Sequence, residues 1–218
     1  SGKQKGAGKL LQDEIGPSIV MHCHDHRLAL ACRDAFKQVH KLDKVSEGLD
    51  ALYKYYEYSS VSAATLREIQ DMEKESHWKV QQAKHHRWLS YEKAVNCVLK
   101  GHSVLVMDLE NASVSGESTK QRQVDAKGLA EWLMSELVVR SLALLADIMP
   151  HLSDLSLVFQ RGNVDLGDIE PHVRSTLENL QKRLTRPGPW EKKVEKNKFR
   201  IRKTDCSEQV FKIGRAHV

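Results

Sequence analysis

The stretch LAEWLMSELVVRSLALL, residues 129–145, decides the fold class of this chain. Its apolar residues return at steps of three and four, the spacing that places side chains on one face of an α-helix. The same spacing recurs in residues 45–58, 63–78, 90–99 and 169–184. Aromatic residues and prolines are few, which favours helices over a many-stranded sandwich. The sequence therefore predicts a mainly α fold.

Capping and breaking residues predict the boundaries within this helical pattern. Ser90 is predicted as the N-cap of the helix over residues 90–99, and Pro150 is expected to end or kink the apolar series. Residues 111–123, rich in Ser, Glu, Gln and Lys, are predicted to form an exposed loop. Trp78 and Trp132 stand at helical spacing from apolar neighbours and are expected to lie in the core.

A short strand is predicted near the N-terminus. Residues 18–21, Ser-Ile-Val-Met, are apolar and partly β-branched, which suits one buried strand. From Asp25 onward, apolar residues at helical spacing predict a helix with Asp25 as its cap. The strand would deliver His22, Cys23 and His24 to the point where this helix begins.

Positive charge is concentrated near the C-terminus. The formal net charge is +5, and residues 182–203 hold ten Lys and Arg against two Glu, so the rest of the chain is slightly acidic. Clustered cations of this kind can bind nucleic-acid phosphates. A solvated linker is the alternative, and so short a run favours it.

Cysteine usage and hydropathy indicate the compartment. The four cysteines form no CxxC pair and no dense framework, as is typical of a reducing compartment such as the nucleus or cytosol: Cys23, Cys32, Cys97 and Cys206. The most apolar stretch, residues 137–152, is interrupted by charged residues and a proline. It is too short and too interrupted to span a bilayer, so no membrane partner is predicted.

Cys23 and His26 have the spacing of half a zinc finger, and His22 and His24 add two more potential ligands. Neighbouring side chains at a strand-to-helix corner point in opposite directions, so these four cannot reach one tetrahedral ion. No second CxxC or HxxxH pair follows, and no metal site is predicted. A thiol nucleophile with its base is a further interpretation. The favoured one is structural, with Cys23 buried and His26 bonded to backbone.

Arg87 and Trp88 precede a predicted helix start, where a planar cation and an indole can stack on a nucleobase. The alternative is that Trp88 anchors the helix in the core while Arg87 is solvated. The acidic residues are scattered and indicate solvated helix faces and caps rather than a two-metal site: Asp108, Glu110, Asp147 and Asp154. The opening GKQKGAGKL lacks the spacing of a phosphate-binding loop, so no nucleotide site is predicted.

Three segments taken together closely resemble the hAT transposase superfamily: HCHDHRLALACRDAF, HRWLSYEKAV and ADIMPHLSDLSLVFQ, at residues 22–36, 86–95 and 146–160. The nearest likeness is to its domesticated vertebrate branch, in which transposase-derived regions follow zinc-finger modules. The resemblance implies a nuclear protein with an RNase H-like core that is interrupted by a helical insertion domain. It divides the chain into a core remnant with a short strand and a junction helix (1–40), the insertion domain (41–185) and a basic linker (186–212).

In the family that the chain resembles, three acidic residues bind two divalent metal ions such as Mg²⁺. The resemblance places all three outside the chain, so no catalytic residue and no cofactor is expected within it. It assigns Cys23 and His26 to the family's element near the DNA ends, and Trp88, beside Arg87, to stacking on a flipped base. The implied partners are DNA and a second subunit. Residues 213–218, IGRAHV, resemble a translated sequencing adapter and are not expected to belong to the fold.

Three functions are compatible with these observations. The leading prediction is a non-catalytic, domesticated nuclear protein that serves as a scaffold for DNA or protein. The second is a truncated part of an active cut-and-paste DNA transposase. The third is a helical protein-interaction module that does not bind DNA.

Overall fold

The computed structural model describes residues 13–14, 23–84, 88–116, 118–161, 166–196 and 198–202. Within these ranges the only β-pairing is a single bridge between Ser135 and Arg202. The predicted mainly α fold is confirmed. The predicted strand at residues 18–21 lies outside the described residues.

Nine helices follow one another along the described residues. They are α1 (His24–Lys37), α2 (His40–Glu57), α3 (Ser60–Met72), α4 (Trp88–Lys100), α5 (His102–Val114), α6 (Lys120–Leu133), α7 (Glu136–Phe159), α8 (Leu166–Thr185) and α9 (Pro189–Glu195). Side-chain oxygens cap two of them, since Ser59 accepts from the Ser62 amide at 3.1 Å and Thr119 from the Arg122 amide at 3.3 Å.

Helix α7 is the centre of the fold. It packs against α1, α2, α4, α6, α8 and α9. Leu142, Leu145 and Met149 are fully buried, and truncating such a side chain typically costs about 2–5 kcal/mol. By length and composition α7 is also apolar enough to cross a membrane, but 61% of that stretch is buried inside the protein. It therefore has the surroundings of a core helix.

Of the two outcomes expected at Pro150, an end or a kink, the end is wrong: Pro150 lies inside α7, which continues to Phe159. A proline removes one backbone hydrogen bond and disfavours the helix locally. Met149 and Leu152 on either side of it are buried. Packing on both sides of the proline compensates for the lost bond.

The apolar series over residues 129–145 is divided between two helices. Met134 forms the C-cap of α6, and Ser135, with extended backbone, precedes α7. Leu133 and Leu142 are both fully buried in the same core. Because the apolar spacing continues across the break between α6 and α7, the sequence pattern does not reveal the break.

Helix α5 has no counterpart among the predicted helices. Its apolar residues run consecutively from Val104 to Met107, and Val104, Leu105 and Val106 are all buried. A helix whose buried apolar residues stand in succession lacks the amphipathic spacing by which helices are found in a sequence. The exposed loop predicted at 111–123 is also largely wrong, because α5 extends to Val114 and α6 begins at Lys120.

Two predicted caps are placed differently in the structure. Helix α4 begins at Trp88, so Ser90 is its third residue and not its N-cap. Helix α1 has Cys23 at the N-cap position, and Asp25 lies in its first turn. Both residues belong to the helices that they were expected to precede.

Trp78 and Trp132 were expected in the core; the structure places both half-buried at its edge, where they pack against it. The Trp132 indole donates to the Lys44 carbonyl at 3.3 Å, and its ring lies against Gly48 of α2. A Cβ at Gly48 would stand 2.0 Å from the Trp132 ring. Gly48 is therefore the residue that lets α6 approach α2.

Replacing Gly48 by Ala should lower the free energy of unfolding by about 1–3 kcal/mol, because the new methyl group overlaps the Trp132 ring. The matched control is Gly128→Ala in α6, where an added Cβ meets nothing within 4 Å. That change should raise stability by about 0.5–1 kcal/mol, the gain of Ala over Gly in a helix. Urea denaturation measures both, and an equal gain in the two variants would contradict the proposed packing.

Candidate nucleic-acid interface

The first predicted site residues, Cys23 and His26, are both exposed at the start of α1. The expectation of a buried Cys23 is therefore wrong. Between them, Asp25 accepts hydrogen bonds from Ser156 and, at 3.2 Å, from Gln160. The His24 ring lies 5.7 Å from the Phe159 ring. These contacts fix the start of α1 to the end of α7 and leave Cys23 and His26 facing solvent.

The other predicted site residues belong to the start of α4. Arg87 and the side chain of Trp88 lie outside the described part of the structure. One turn after Trp88, Tyr91 is fully buried, its hydroxyl bonded to Ser46 at 2.8 Å and its ring 6.1 Å from Phe36. Phe36 lies near the end of α1, roughly 15–20 Å along the helix from Cys23 and His26. Cys23 and His26 thus lie at the opposite end of α1 from the contact between Phe36 and Tyr91.

Possible metal ligands do not converge in the described part of the chain. Across those ranges, no group of three or more His, Cys, Asp and Glu side chains is arranged to hold an ion. Cys23, Cys32 and Cys97 are free thiols. Burial raises the pKa of Cys32 to about 11, which makes it a poor nucleophile at neutral pH.

Of the four carboxylates interpreted as lying on solvated helix faces or at caps, Asp108 and Asp147 are buried, and Asp147 serves as a cap. Asp108 accepts a 2.7 Å hydrogen bond from the Tyr56 hydroxyl in the core; burial raises the pKa of Asp108, and the bond from Tyr56 partly offsets the rise. Asp147 on α7 accepts from the Trp190 and Glu191 amides at 3.0 Å. Asp154 is exposed, as expected, and half-buried Glu110 pairs with Arg200 at 2.7 Å.

The sequence predicted a basic linker over residues 186–212. Within the described part of that range, residues 189–195 form helix α9. Asp147 caps the first turn of α9 from another helix, while Val194 is buried against Val139 and Ala143 of α7. The close approach leaves no room for a side chain at Gly188, where a Cβ would stand 2.1 Å from the Asp147 carboxylate. The basic segment is therefore part of the folded body.

The stretch after α9 is also anchored. The Phe199 ring packs edge-on against His102, with ring centroids 5.3 Å apart, and the Arg202 amide donates to the Met134 carbonyl at 2.9 Å. Buried His102 donates from Nε2 to the Leu133 carbonyl at 3.0 Å. We call residues 189–202 the basic tail.

Six cations of the basic tail are exposed: Lys192, Lys193, Lys196, Lys198, Arg200 and Arg202. Arg200 and Arg202 pair with Glu110 and Glu131 at 2.7 and 3.5 Å, and Lys193 lies 3.8 Å above the Trp190 ring. Among the described residues, the four lysines form no ion pair, so their charge is open to an anionic partner.

A second group of cations was missed by sequence reasoning. Lys93 and Lys100 lie on α4 and, with Lys79 and Trp78, line one open groove. The signal in the sequence was the spacing of Lys93, Asn96 and Lys100, which places all three on one face of the helix. No family model, curated protein or solved structure matches the chain.

Removing the cap from α9 tests the anchoring of the basic tail. Asp147→Ala should lower the free energy of unfolding by about 1.5–3 kcal/mol, because two backbone amides lose a charged acceptor. It should also speed tryptic cleavage within residues 192–198. Asp154→Ala, at an exposed position of the same helix, is the control. Equal cleavage rates in the two variants would show that Asp147 does not hold the tail.

The pH dependence of stability should report on His102. Burial lowers the pKa of His102 below its ordinary 6.5, so below that pH the unfolded chain binds a proton that the folded chain resists. The free energy of unfolding should therefore fall as pH drops from about 7.5 to 5.5, by up to about 1.4 kcal/mol per pH unit from this residue. His102→Gln, whose amide can still donate to Leu133, should show a shallower fall in urea titrations. An unchanged slope would contradict this role.

Proposed function

We propose that this chain is a non-catalytic scaffold that binds nucleic acid, in a nuclear protein derived from a hAT transposase. The observation that carries the proposal is the anchored basic tail. Asp147, Val194 and Phe199 hold its cations on a folded surface. Because its backbone is already ordered before binding, such a surface loses less entropy than a free linker.

The resemblance to hAT transposases supports the part of this proposal that derives the protein from a transposase. Its three motifs fall on α1, the start of α4 and the second half of α7, and the helices between them form one core. In this proposal residues 41–185 are the helical insertion domain of an RNase H-like protein. Cys23 and His26 are exposed and so available to DNA.

Charge neutralisation in the basic tail tests the proposal. Replacing Lys192, Lys193, Lys196 and Lys198 by Gln should weaken binding to a labelled DNA duplex by at least about tenfold at low salt. It should also reduce the slope of log affinity against log salt by roughly 3, because fewer counterions are released. Fluorescence anisotropy between about 50 and 200 mM salt measures both quantities.

The control for this experiment changes net charge by the same amount elsewhere. It carries Gln at four exposed lysines of α1, α2 and α6: Lys37, Lys44, Lys120 and Lys127. An equal loss in the control would mean that the chain binds DNA only through its overall charge, and the basic tail would have no special role. Trp88→Ala in the same assay tests the stacking role, which an unchanged affinity would remove.

A protein-interaction module is the second candidate, and helix α8 favours it. Leu177 and Leu184 on this helix are 54% and 73% exposed. They share an apolar stripe with half-buried Val173 and Leu180 at steps of three and four. Absence of DNA affinity at low salt, together with self-association that Leu177→Gln abolishes, would replace the nucleic-acid scaffold by this function.

A further inference from the structure

An open groove of about 450 Å³ lies between α4 and the segment that follows α3. Trp78, Lys79 and Gln81 line it from that segment, and Lys93, Asn96 and Lys100 line it from α4. Its volume falls within the range of ordinary small-molecule sites. It is separate from the basic tail, since none of its lining residues belongs to residues 189–202.

The wall formed by the segment after α3 is held in place by hydrogen bonds at both ends. Helix α3 ends in a left-handed turn at Lys74 (φ 55°), and the Glu75 amide donates back to the Gln70 carbonyl at 2.9 Å. Buried Gln70 in turn donates to the Trp78 carbonyl at 3.1 Å. The backbone on this side of the groove is therefore fixed before any ligand arrives.

The two walls are also joined to each other. The Cys97 thiol of α4 donates to the Lys79 carbonyl at 3.3 Å. The Trp78 ring lies against the backbone of Gly101, where a Cβ would approach it to 2.1 Å. The indole N–H donates to Glu75 at 3.1 Å, which fixes the ring plane. A preformed groove with an oriented indole results.

The groove is cationic. The side chains of Lys79, Lys93 and Lys100 are exposed, and none forms an ion pair with any residue that the structure describes. Lys93 and Lys100 lie on one face of α4, about 10 Å apart along its axis. Among the described residues, Glu75 is the carboxylate that is hydrogen-bonded to a lining side chain, Trp78. Three ammonium groups against one carboxylate leave a net positive site.

Polar groups for recognition lie between the lysines. The Asn96 amide forms no side-chain hydrogen bond among the described residues, so it can both donate and accept. The Gln81 amide nitrogen donates to the Lys79 carbonyl at 3.0 Å, which orients its free oxygen. An indole, two amides and three ammonium groups thus line one space.

We propose that this groove binds an unpaired nucleotide within a single-stranded nucleic-acid segment, with the base against Trp78 and the flanking phosphates on Lys79, Lys93 and Lys100. The assignment rests on the proposed nucleic-acid function and adds a second, distinct site to it. A paired base keeps its faces in the stack, whereas an unpaired base offers a face to an aromatic ring and its edge to amides. The combination of groups in the groove therefore matches the unpaired form.

The test uses the full chain and a labelled thymidine oligomer of about twelve nucleotides, within the site sizes usual for single-strand binders. Replacing Lys79, Lys93 and Lys100 by Gln should weaken its binding by at least about tenfold. The matched control carries Gln at Lys37, Lys44 and Lys127, which removes the same charge from other exposed positions. Equal affinities of the two variants would overturn the groove assignment.

Cys97 gives a readout at the groove itself. It is a free, half-buried thiol that lines the groove, so bound oligomer should slow its alkylation by iodoacetamide at least about threefold at saturating ligand. Mass spectrometry of the tryptic peptide that holds Cys97 measures the rate, and Cys32 of α1, likewise a free and half-buried thiol, is the internal control. Equal slowing of both cysteines, or of neither, would contradict binding in the groove.

A sugar–phosphate oligomer of the same length without bases separates base recognition from charge attraction. Binding as tight as that of the thymidine oligomer would overturn the role given to Trp78, Asn96 and Gln81. If the basic-tail variant loses duplex binding while the groove variant binds the oligomer unchanged, only the groove assignment is rejected. The reverse pattern, a groove effect without a tail effect, would reject the basic tail as the carrier of the proposed function.

Discussion

Burial of α7 by six other helices is the constraint on which the rest of the structure depends. A helix covered so widely carries polar side chains into the interior, where an unpaired polar group is costly. Asp147 finds the backbone amides of α9, and Ser156 donates to Asp25 of α1. Asp147 and Ser156 thus fix where α9 and the start of α1 pack against α7.

The position fixed for α9 explains why the basic tail is not a linker. Ten Lys and Arg among residues 182–203 suggest a solvated segment. The nearly buried carboxylate of Asp147 on α7, however, caps the first turn of α9 and so fixes where the segment begins its helix. Val194 then packs against Val139 and Ala143, and Trp190, Phe199 and Ile201 border the same cluster. Local composition carries no information about an acceptor that lies more than forty residues away in the chain.

The sequence predicted the helical class and most helices because amphipathic spacing is a local property. It missed α5 because residues 104–107 are apolar in succession, and it missed the break at Ser135 because both flanking helices face one core. Cys23 was predicted to be buried because cysteine is usually buried. In the structure Asp25 holds the start of α1 against α7 in an orientation that leaves Cys23 exposed. The groove was not predicted, since it depends on Trp78 and Gly101 meeting across twenty-three residues.

The attachment of the basic tail to the body has one further consequence. Its contacts are a capped first turn, one small apolar cluster, one ring pair, a backbone hydrogen bond from Arg202 to Met134 and two exposed ion pairs. Segments at the edge of a core open at a lower free energy than the core itself. We therefore expect two levels of cooperativity: the helical body around α7 unfolds as a unit, and the basic tail detaches and returns while the body stays folded. In the detached state the same lysines have a longer reach and a less defined arrangement, so the equilibrium between the two states sets how far from the body a polyanion can first be captured.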